Sequence, residues 1–370
     1  MRAQRLTGAP CATPEKVVGL LGAVQAQDFG PAKWAVGMRA KGTGDDAVER
    51  AFAAGAILRT HVLRPTWHFV LPADIRLLLA ATASRIQAGN AGRYRQLGLD
   101  AATLRRSRDV LAGSLRGGEQ LTRAELAQAL VSAGIAVDGQ RLPHLLMNAE
   151  LDAAICSGPR RGKQHTYMLL EERAPEAPDP PRDEALAELA RRFFTGHGPA
   201  TTKDFAVWAS LTLAEARASI EAAGPVLRRE EVGGLVFWCG ADAPRRAPRL
   251  RSPVVHLVQG YDEYIMGYTE TKALLARPGS AWAPATPPVF GLVILVDGRV
   301  AGFWRRTVKR DEVVIEAAPL EPFDDAESRG LEAEAARYGE FLGLAARLRV
   351  APAGDDRARE AFENGEDDDA

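Results

Sequence analysis

At 370 residues the chain has room for roughly two to four domains of ordinary size. Hydrophobic residues make up 46% and charged residues 26%, a globular balance that excludes wholesale disorder, and no apolar run approaches the roughly 20 residues that span a bilayer. The formal net charge of −1 is unevenly spread: Glu171–Glu184 carries −4 and Asp355–Ala370 carries −6, leaving +9 on a body that can hold a polyanion.

The start, Met1 to Leu6, is too polar and too short for a signal peptide, so a cytoplasmic location is expected. Cys11, Cys156 and Cys239 are too far apart for a disulfide framework or a metal-ligand spacing and read as free thiols. The six histidines are equally dispersed, so neither a metal nor another cofactor is expected.

In chain order, Pro14 to Gln27 reads as a helix stopped by Gly30-Pro31, Asp46 to Ala54 as a second helix, and Arg59 to Leu71 alternates like a strand. Residues 1–95 thus hold a first module and the start of a helical insert, Pro72 to Leu115. The insert carries Arg85, Arg93, Arg95, Arg105, Arg106 and Arg108, read as the solvated face of a scaffold.

Residues 96–170 give the clearest module. Thr122 caps a helix with Glu125 three residues on, and Leu121, Leu126, Ala129 and Leu130 recur at helical spacing. A turn through Gly134 to Gly139 leads to a second helix, Arg141 to Ala153, in which Pro143 falls early enough to be tolerated. Two short strands, Ala154 to Cys156 and His165 to Leu170, flank the basic turn Gly158 to Lys163. Helix, turn, helix and hairpin make a winged helix, whose second helix such modules usually present to DNA.

Four prolines make the acidic stretch 171–184 a linker. Residues 185–245 repeat the pattern more weakly, with a cap at Thr202-Lys203-Asp204, a helix over Thr212 to Ile220, and a hairpin over Val226 to Trp238 turning at Gly233-Gly234. Residues 246–352 change to strands at Val254–Gln259, Pro288–Val296, Arg299–Thr307 and Glu312–Ala317, with Asp297-Gly298 as a two-residue turn and a closing helix over Ala326–Leu344. The acidic stretch 353–370 reads as a disordered tail. The expected fold is α+β: three tandem winged-helix (helix-turn-helix) modules with a C-terminal antiparallel β-barrel-like domain.

The segment with chemical content is Val24-Gln25-Ala26-Gln27-Asp28-Phe29-Gly30-Pro31. Glutamines two apart diverge on a helix but share a side of extended or turning backbone. With this segment, with Leu63-Arg64-Pro65-Thr66-Trp67-His68-Phe69-Val70, with Tyr261-Asp262-Glu263-Tyr264, and with Asp297-Gly298 and Gly302-Phe303-Trp304, nearly the whole chain resembles the winged-helix DNA glycosylases of the AlkZ and YcaQ type (AlkZ-like). Pro65 departs from a glycine expected in many relatives.

The resemblance implies a C-terminal β-barrel behind the winged helices and a monofunctional glycosylase hydrolysing the N-glycosidic bond of alkylated purines, N7-alkylguanine and interstrand crosslinks included. It implies that Gln25 and Gln27 are catalytic, and that damaged or crosslinked double-stranded DNA is the partner of a nucleoid-associated monomer serving base excision repair or self-resistance. Glutamine suits the reaction, because an N7-alkylated purine is already cationic and leaves without a strong acid, so a water must be placed and an oxocarbenium-like sugar stabilised. Asp28 is the rival within the motif, as a general base.

His68, lone in an alternating strand, reads as structural, as do Asp262 and Glu263, which would face opposite ways on a strand. Arg160, Arg161 and Lys163 in the basic turn are the expected phosphate contacts, and Arg305 and Arg306, with Lys309 and Arg310, form a second basic run that would grip DNA or keep an edge strand soluble. The competing function is a non-catalytic winged-helix DNA-binding protein or transcriptional regulator, which would prefer a sequence where a glycosylase prefers a lesion.

Overall fold

The computed structural model describes residues 1–244, 252–278 and 291–353; the acidic tail and the beginning of the strand expected from Pro288 lie outside them. Among the described residues one succession of helix, short strand, two helices and hairpin occurs three times. The first unit comprises α1 (Pro14–Leu21), β1 (Val24–Gln25), α2 (Phe29–Gly37), α3 (Asp45–Ala53), β2 (Leu58–Val62) and β3 (Thr66–Val70). Then α4 (Ile75–Gln96) leads to the second unit: α5 (Ala101–Ser114), β4 (Leu121–Thr122), α6 (Arg123–Ser132), α7 (Arg141–Leu151), β5 (Ile155–Ser157) and β6 (Thr166–Leu169). After the single turn α8 (Leu170–Arg173), the third comprises α9 (Arg182–Gly196), β7 (Ala200–Thr201), α10 (Thr202–Trp208), α11 (Leu213–Ala223), β8 (Leu227–Val232) and β9 (Leu235–Gly240). Each unit closes with a three-stranded antiparallel sheet in which the first strand pairs with the last, in the orders β1-β3-β2, β4-β6-β5 and β7-β9-β8.

The local signals explain most of these elements. The Thr122 hydroxyl accepts from the Glu125 amide while the Glu125 carboxylate accepts from the Thr122 amide at 2.7 Å, a reciprocal cap repeated at Thr201/Asp204 and Thr212/Glu215. Thr122→Ala removes it and is expected to cost about 1 kcal/mol, read as a lower urea midpoint with an unchanged slope. Gly233-Gly234 and Asp297-Gly298 turn their hairpins with both residues at positive φ.

The first unit departs from its expected form. The helix from Pro14 stops at Leu21, because Gly22 takes φ +77° and Val24–Gln25 pairs with β3 as a strand. Gly30-Pro31 is no stop: it lies in the first turn of α2, where a proline's missing amide costs nothing. The alternating run from Arg59 is two strands joined at Leu63–Pro65, with Leu63 at φ +62°.

The C-terminal sheet runs β10 (Val255–Val258), β11 (Leu292–Val296), β12 (Arg299–Val308), β13 (Glu312–Pro319) and β14 (Ala345–Val350) in that order, with the short helix α12 (Glu263–Met266) after β10 and α13 (Asp325–Leu342) between the last two strands. It is the curled half-barrel expected of this region, with one correction: β14 lies parallel to β13, as the α13 crossover requires. One apolar core joins this sheet to the first unit through Trp34, Phe303, Trp304 and Tyr338, and a second joins α4 to the third unit through Phe193, Phe205 and Trp208. The first unit is therefore packed from both sides, and its β1–α2 segment lies at the junction. No helix of the described residues is long and apolar enough to cross a membrane.

Candidate active site

Gln25 sits on β1 opposite His68 on β3 and is 2% exposed. Its backbone amide donates to Glu263 Oε1 at 3.1 Å, and its side-chain Oε1 accepts from Arg64 Nη2 at 2.8 Å. Arg64, set in the β2–β3 turn, also donates to the Trp208 carbonyl at 3.0 Å and lies 3.2 Å from His68 Nε2. His68 Nδ1 is 2.9 Å from the Thr66 carbonyl, to which it donates, so Nε2 is left to accept from the guanidinium. Burial, reinforced by the Arg64 charge, pushes His68 down to about 3. The ring is neutral at physiological pH and is no general acid; it orients Arg64.

Glu263 closes the network. Its Oε2 accepts from Trp208 Nε1 at 2.7 Å and lies 3.3 Å from His197 Nε2. Burial opposes its ionisation, but the His197 hydrogen bond and the Arg64 charge outweigh burial and hold the carboxyl at about 2. Asp262 and Glu263 are not on a strand: Asp262 caps α12 through the Tyr264 amide and pairs with Arg39, while Glu263 is the first residue of the helix. Their structural role stands, and in Glu263 it reaches the candidate site itself.

The backbone beyond Gln25 stays pinned while its side chains emerge. The Ala26 amide donates to the Trp67 carbonyl at 2.7 Å, and Arg59 donates to the carbonyls of Ala26 and Gln27 at 2.9 and 3.2 Å. Arg59 also lies over the Trp67 ring at 4.2 Å. Gln27 and Asp28 are exposed, and Asp28 occupies the N-cap position of α2 without capping it through its side chain. The pair reads as a rigid backbone presenting two polar side chains to solvent.

Two of the expected DNA contacts gather around the first turn of α2. Arg160 lies 4.7 Å over the Phe29 ring and makes two 2.8 Å hydrogen bonds to Glu49, and the Arg306 guanidinium would meet a Cβ at Gly30 at 3.4 Å while bonding the Tyr338 hydroxyl. The others stand apart: Arg161 bonds Glu125 at 2.8 Å, Arg305 bonds Glu316 at 2.7 Å, and Lys163 is exposed with no ion pair among the described residues. Sequence reasoning missed Arg64, Arg59, His197 and Trp208 as supports. Arg64 and Trp67 fell inside a quoted motif without a role; His197 and Trp208 reach Glu263 across 66 and 55 residues, with no local signal.

The whole fold is similar to that of a solved structure, Streptomyces sahachiroi DNA glycosylase AlkZ, with a TM-score of 0.76 and 24% identity, covering 95% of this chain and 97% of the other. A curated relative from the same organism, an interstrand DNA cross-link repair glycosylase, is 27% identical over 343 residues, 89% of this chain and 90% of the relative. The family model for DNA glycosylase AlkZ-like proteins matches residues 18–341. The chain belongs to the AlkZ-like DNA glycosylase family, and the enzyme reading stands over that of a regulator.

Proposed function

We propose that the protein is a DNA repair enzyme that hydrolyses the N-glycosidic bond of alkylated purines in double-stranded DNA, using a water held by the Gln25–Gln27 pair. The observation that carries this reading is the asymmetry of the two glutamines. Gln25 is buried with its carbonyl occupied by Arg64, whereas Gln27 is exposed on a backbone fixed by Arg59. In this reading Gln27 accepts a hydrogen bond from the water through its side-chain carbonyl, and Gln25 contributes its remaining amide donor and anchors the strand. The cationic leaving base needs no acid, which agrees with the neutral His68 ring opposite Gln25. The name of the Streptomyces sahachiroi relative, an interstrand DNA cross-link repair glycosylase, favours interstrand crosslinks among the substrates.

We read the three repeated units as winged helices. Each has the helix, strand, two helices and hairpin of that module, and in this reading the DNA surface includes the β1–α2 segment of the first unit. Arg160 and Arg306 then serve mainly to shape that surface. In this reading Lys163 contacts phosphate directly, and Arg161 and Arg305, exposed and paired with Glu125 and Glu316, exchange these carboxylates for phosphates on binding.

Purified protein acting on a duplex with one N7-methylguanine tests the mechanism. Gln27→Ala is expected to lower kcat by roughly a hundredfold, about 2.7 kcal/mol of transition-state stabilisation, with little change in DNA affinity. Asp28→Asn is expected to retain activity within about threefold, since positioning rather than proton abstraction limits the step. If Asp28→Asn is dead and Gln27→Ala active, the base is the carboxylate and the glutamine mechanism is wrong.

A further inference from the structure

The sheet of the first unit runs β1-β3-β2, so one edge of β1 has no strand beside it among the described residues. In an antiparallel pair the amide and the carbonyl of one residue face the same side, and the side alternates along the strand. The Ala26 amide turns to β3, on the Trp67 carbonyl, so Gln25 turns both of its backbone groups to the open edge. Buried there without partners they would destabilise the fold, and two side chains from beyond β10 take them. Glu263 Oε1 accepts from the Gln25 amide at 3.1 Å, and Gln259 Nε2 donates to the Gln25 carbonyl at 3.4 Å. One acceptor and one donor thus do for Gln25 what a neighbouring strand would do.

Gln259 is itself firmly held. The two residues before it, at the end of β10, give their carbonyls to indoles, Leu257 to Trp34 Nε1 at 2.6 Å and Val258 to Trp304 Nε1 at 3.0 Å. Its own carbonyl accepts from the Asp262 amide at 3.1 Å. Turning the side-chain amide over would set its oxygen against the Gln25 carbonyl oxygen, so Nε2 is the end that faces Gln25. Oε1 is then buried with no hydrogen-bond partner among the described residues, in a side chain only 1% exposed. An unpaired buried oxygen lowers stability, and methionine would fill the same length without that loss. Stability therefore does not account for an amide at this position, and a local departure of this kind is expected where a residue serves a site.

The two glutamines of the motif are held by different means. Arg59 fixes the Gln27 carbonyl from β2, whereas Gln259 and Glu263 fix the backbone of Gln25 from the C-terminal region. With both in-plane groups of Gln25 held, its side chain leaves the strand in one direction, and there its Oε1 meets Arg64. An error of about 1 Å in such a group can cost roughly a hundredfold in rate. Building on the hydrolytic reading above, we propose that Gln259 is a positioning residue for the reaction, holding the Gln25 carbonyl so that the side-chain amide of Gln25 is aimed at the attacking water.

The test measures the single-turnover rate on a duplex with one N7-methylguanine, corrected for spontaneous depurination, and the affinity for that duplex separately. Gln259→Met keeps the length and removes the donor; it is expected to lower the rate by about tenfold and to leave the affinity within about twofold. In a Gln25→Ala background, where there is no side chain left to aim, the same change is expected to cost no more than about twofold. Gln259→Glu supplies a second route. At pH 8 it should repeat the loss, and relative to wild type it should recover as the pH falls toward 6, where a buried carboxyl beside the Glu263 carboxylate takes up a proton and donates again. A full rate for Gln259→Met, a weaker affinity with an unchanged rate, or a tenfold loss repeated in the Gln25→Ala background each overturns the proposal, the last by showing a general structural role. So does a Gln259→Glu enzyme whose ratio to wild type does not change with pH. Release of no base by the wild type overturns the hydrolytic reading on which the proposal stands, so the two failures are separate.

Discussion

Arg39→Ala is expected to destabilise the protein by about 3–5 kcal/mol, the cost of leaving a buried charge without its partner. Both Arg39 and Asp262 have fully buried side chains, and the guanidinium meets the carboxylate through two bonds of 2.6 and 2.8 Å. The remaining donors are also used, on the Gln4 and Ala35 backbone carbonyls at 2.9 and 2.8 Å and on Gln4 Oε1 at 3.3 Å. Truncation therefore strands a carboxylate that cannot reach water, together with two carbonyls. Asp262→Ala should cost a similar amount, with the additional loss of the cap on α12. The double replacement Arg39→Met with Asp262→Leu is expected to recover more than half of either loss, because no uncompensated charge then remains. Urea unfolding of the four proteins measures this directly; additive losses would show that the pair does not act as one unit. The effect extends to the site, because the residue after Asp262 is Glu263, whose carboxylate takes the Gln25 amide. A loosened α12 should thus lower kcat on N7-methylguanine DNA even where the protein remains folded.

The sequence made legible what is locally encoded. The Thr122/Glu125 cap, the Asp297-Gly298 turn and the periodicity of α6 and α7 each depend on residues within one turn or one hairpin of each other, and each appears in the structure as read. The misreadings came where tertiary pairing overrode local preference. Val24-Gln25 continues a helical pattern, yet pairs with Phe69 and His68 some 44 residues on. Ala345–Val350, absent from the reading, is a strand only because β13 offers it a parallel edge. In the candidate site, the glutamine triplet was visible but the reason that its two members differ was not. That difference comes from Arg64 and Glu263, whose roles depend on contacts with Trp208 and His197 in the third unit. Arg160 and Arg161 show the converse: a basic turn in sequence proved partly committed to Glu49 and Glu125.

Lowering the pH from 7 to 5 is expected to remove about 4 kcal/mol of stability, most of it through two histidines held neutral in the folded state. Burial is the main cause at both. It pushes His68, beside the Arg64 charge, from the ordinary 6.5 down to about 3, and His256, despite its bond to the Leu6 carbonyl and with Arg337 and Arg39 near, down to about 4. Each ring takes up a proton near pH 6.5 when the chain unfolds and stays unprotonated in the fold until the pH is far lower. Across that window the unfolded state binds more protons, so stability rises with pH and is lost on acidification, by about 2 kcal/mol per ring between pH 7 and 5. His165, pushed down to about 4 but partly exposed, adds a smaller loss of the same sign. Glu263, held at about 2, acts in a different window: its contribution is complete above the ordinary carboxylate range and fades only as the pH falls from about 4 toward 2. Urea titrations at pH 7, 6 and 5 should therefore give a falling midpoint with a constant slope. His256→Gln, which keeps a hydrogen-bond donor for the Leu6 carbonyl but cannot titrate, should flatten the fall by about 2 kcal/mol. A midpoint that does not move between pH 7 and 5 would mean that these rings are protonated in the fold. His68 would then be cationic beside Arg64, and its role as the acceptor that orients Arg64 could not hold.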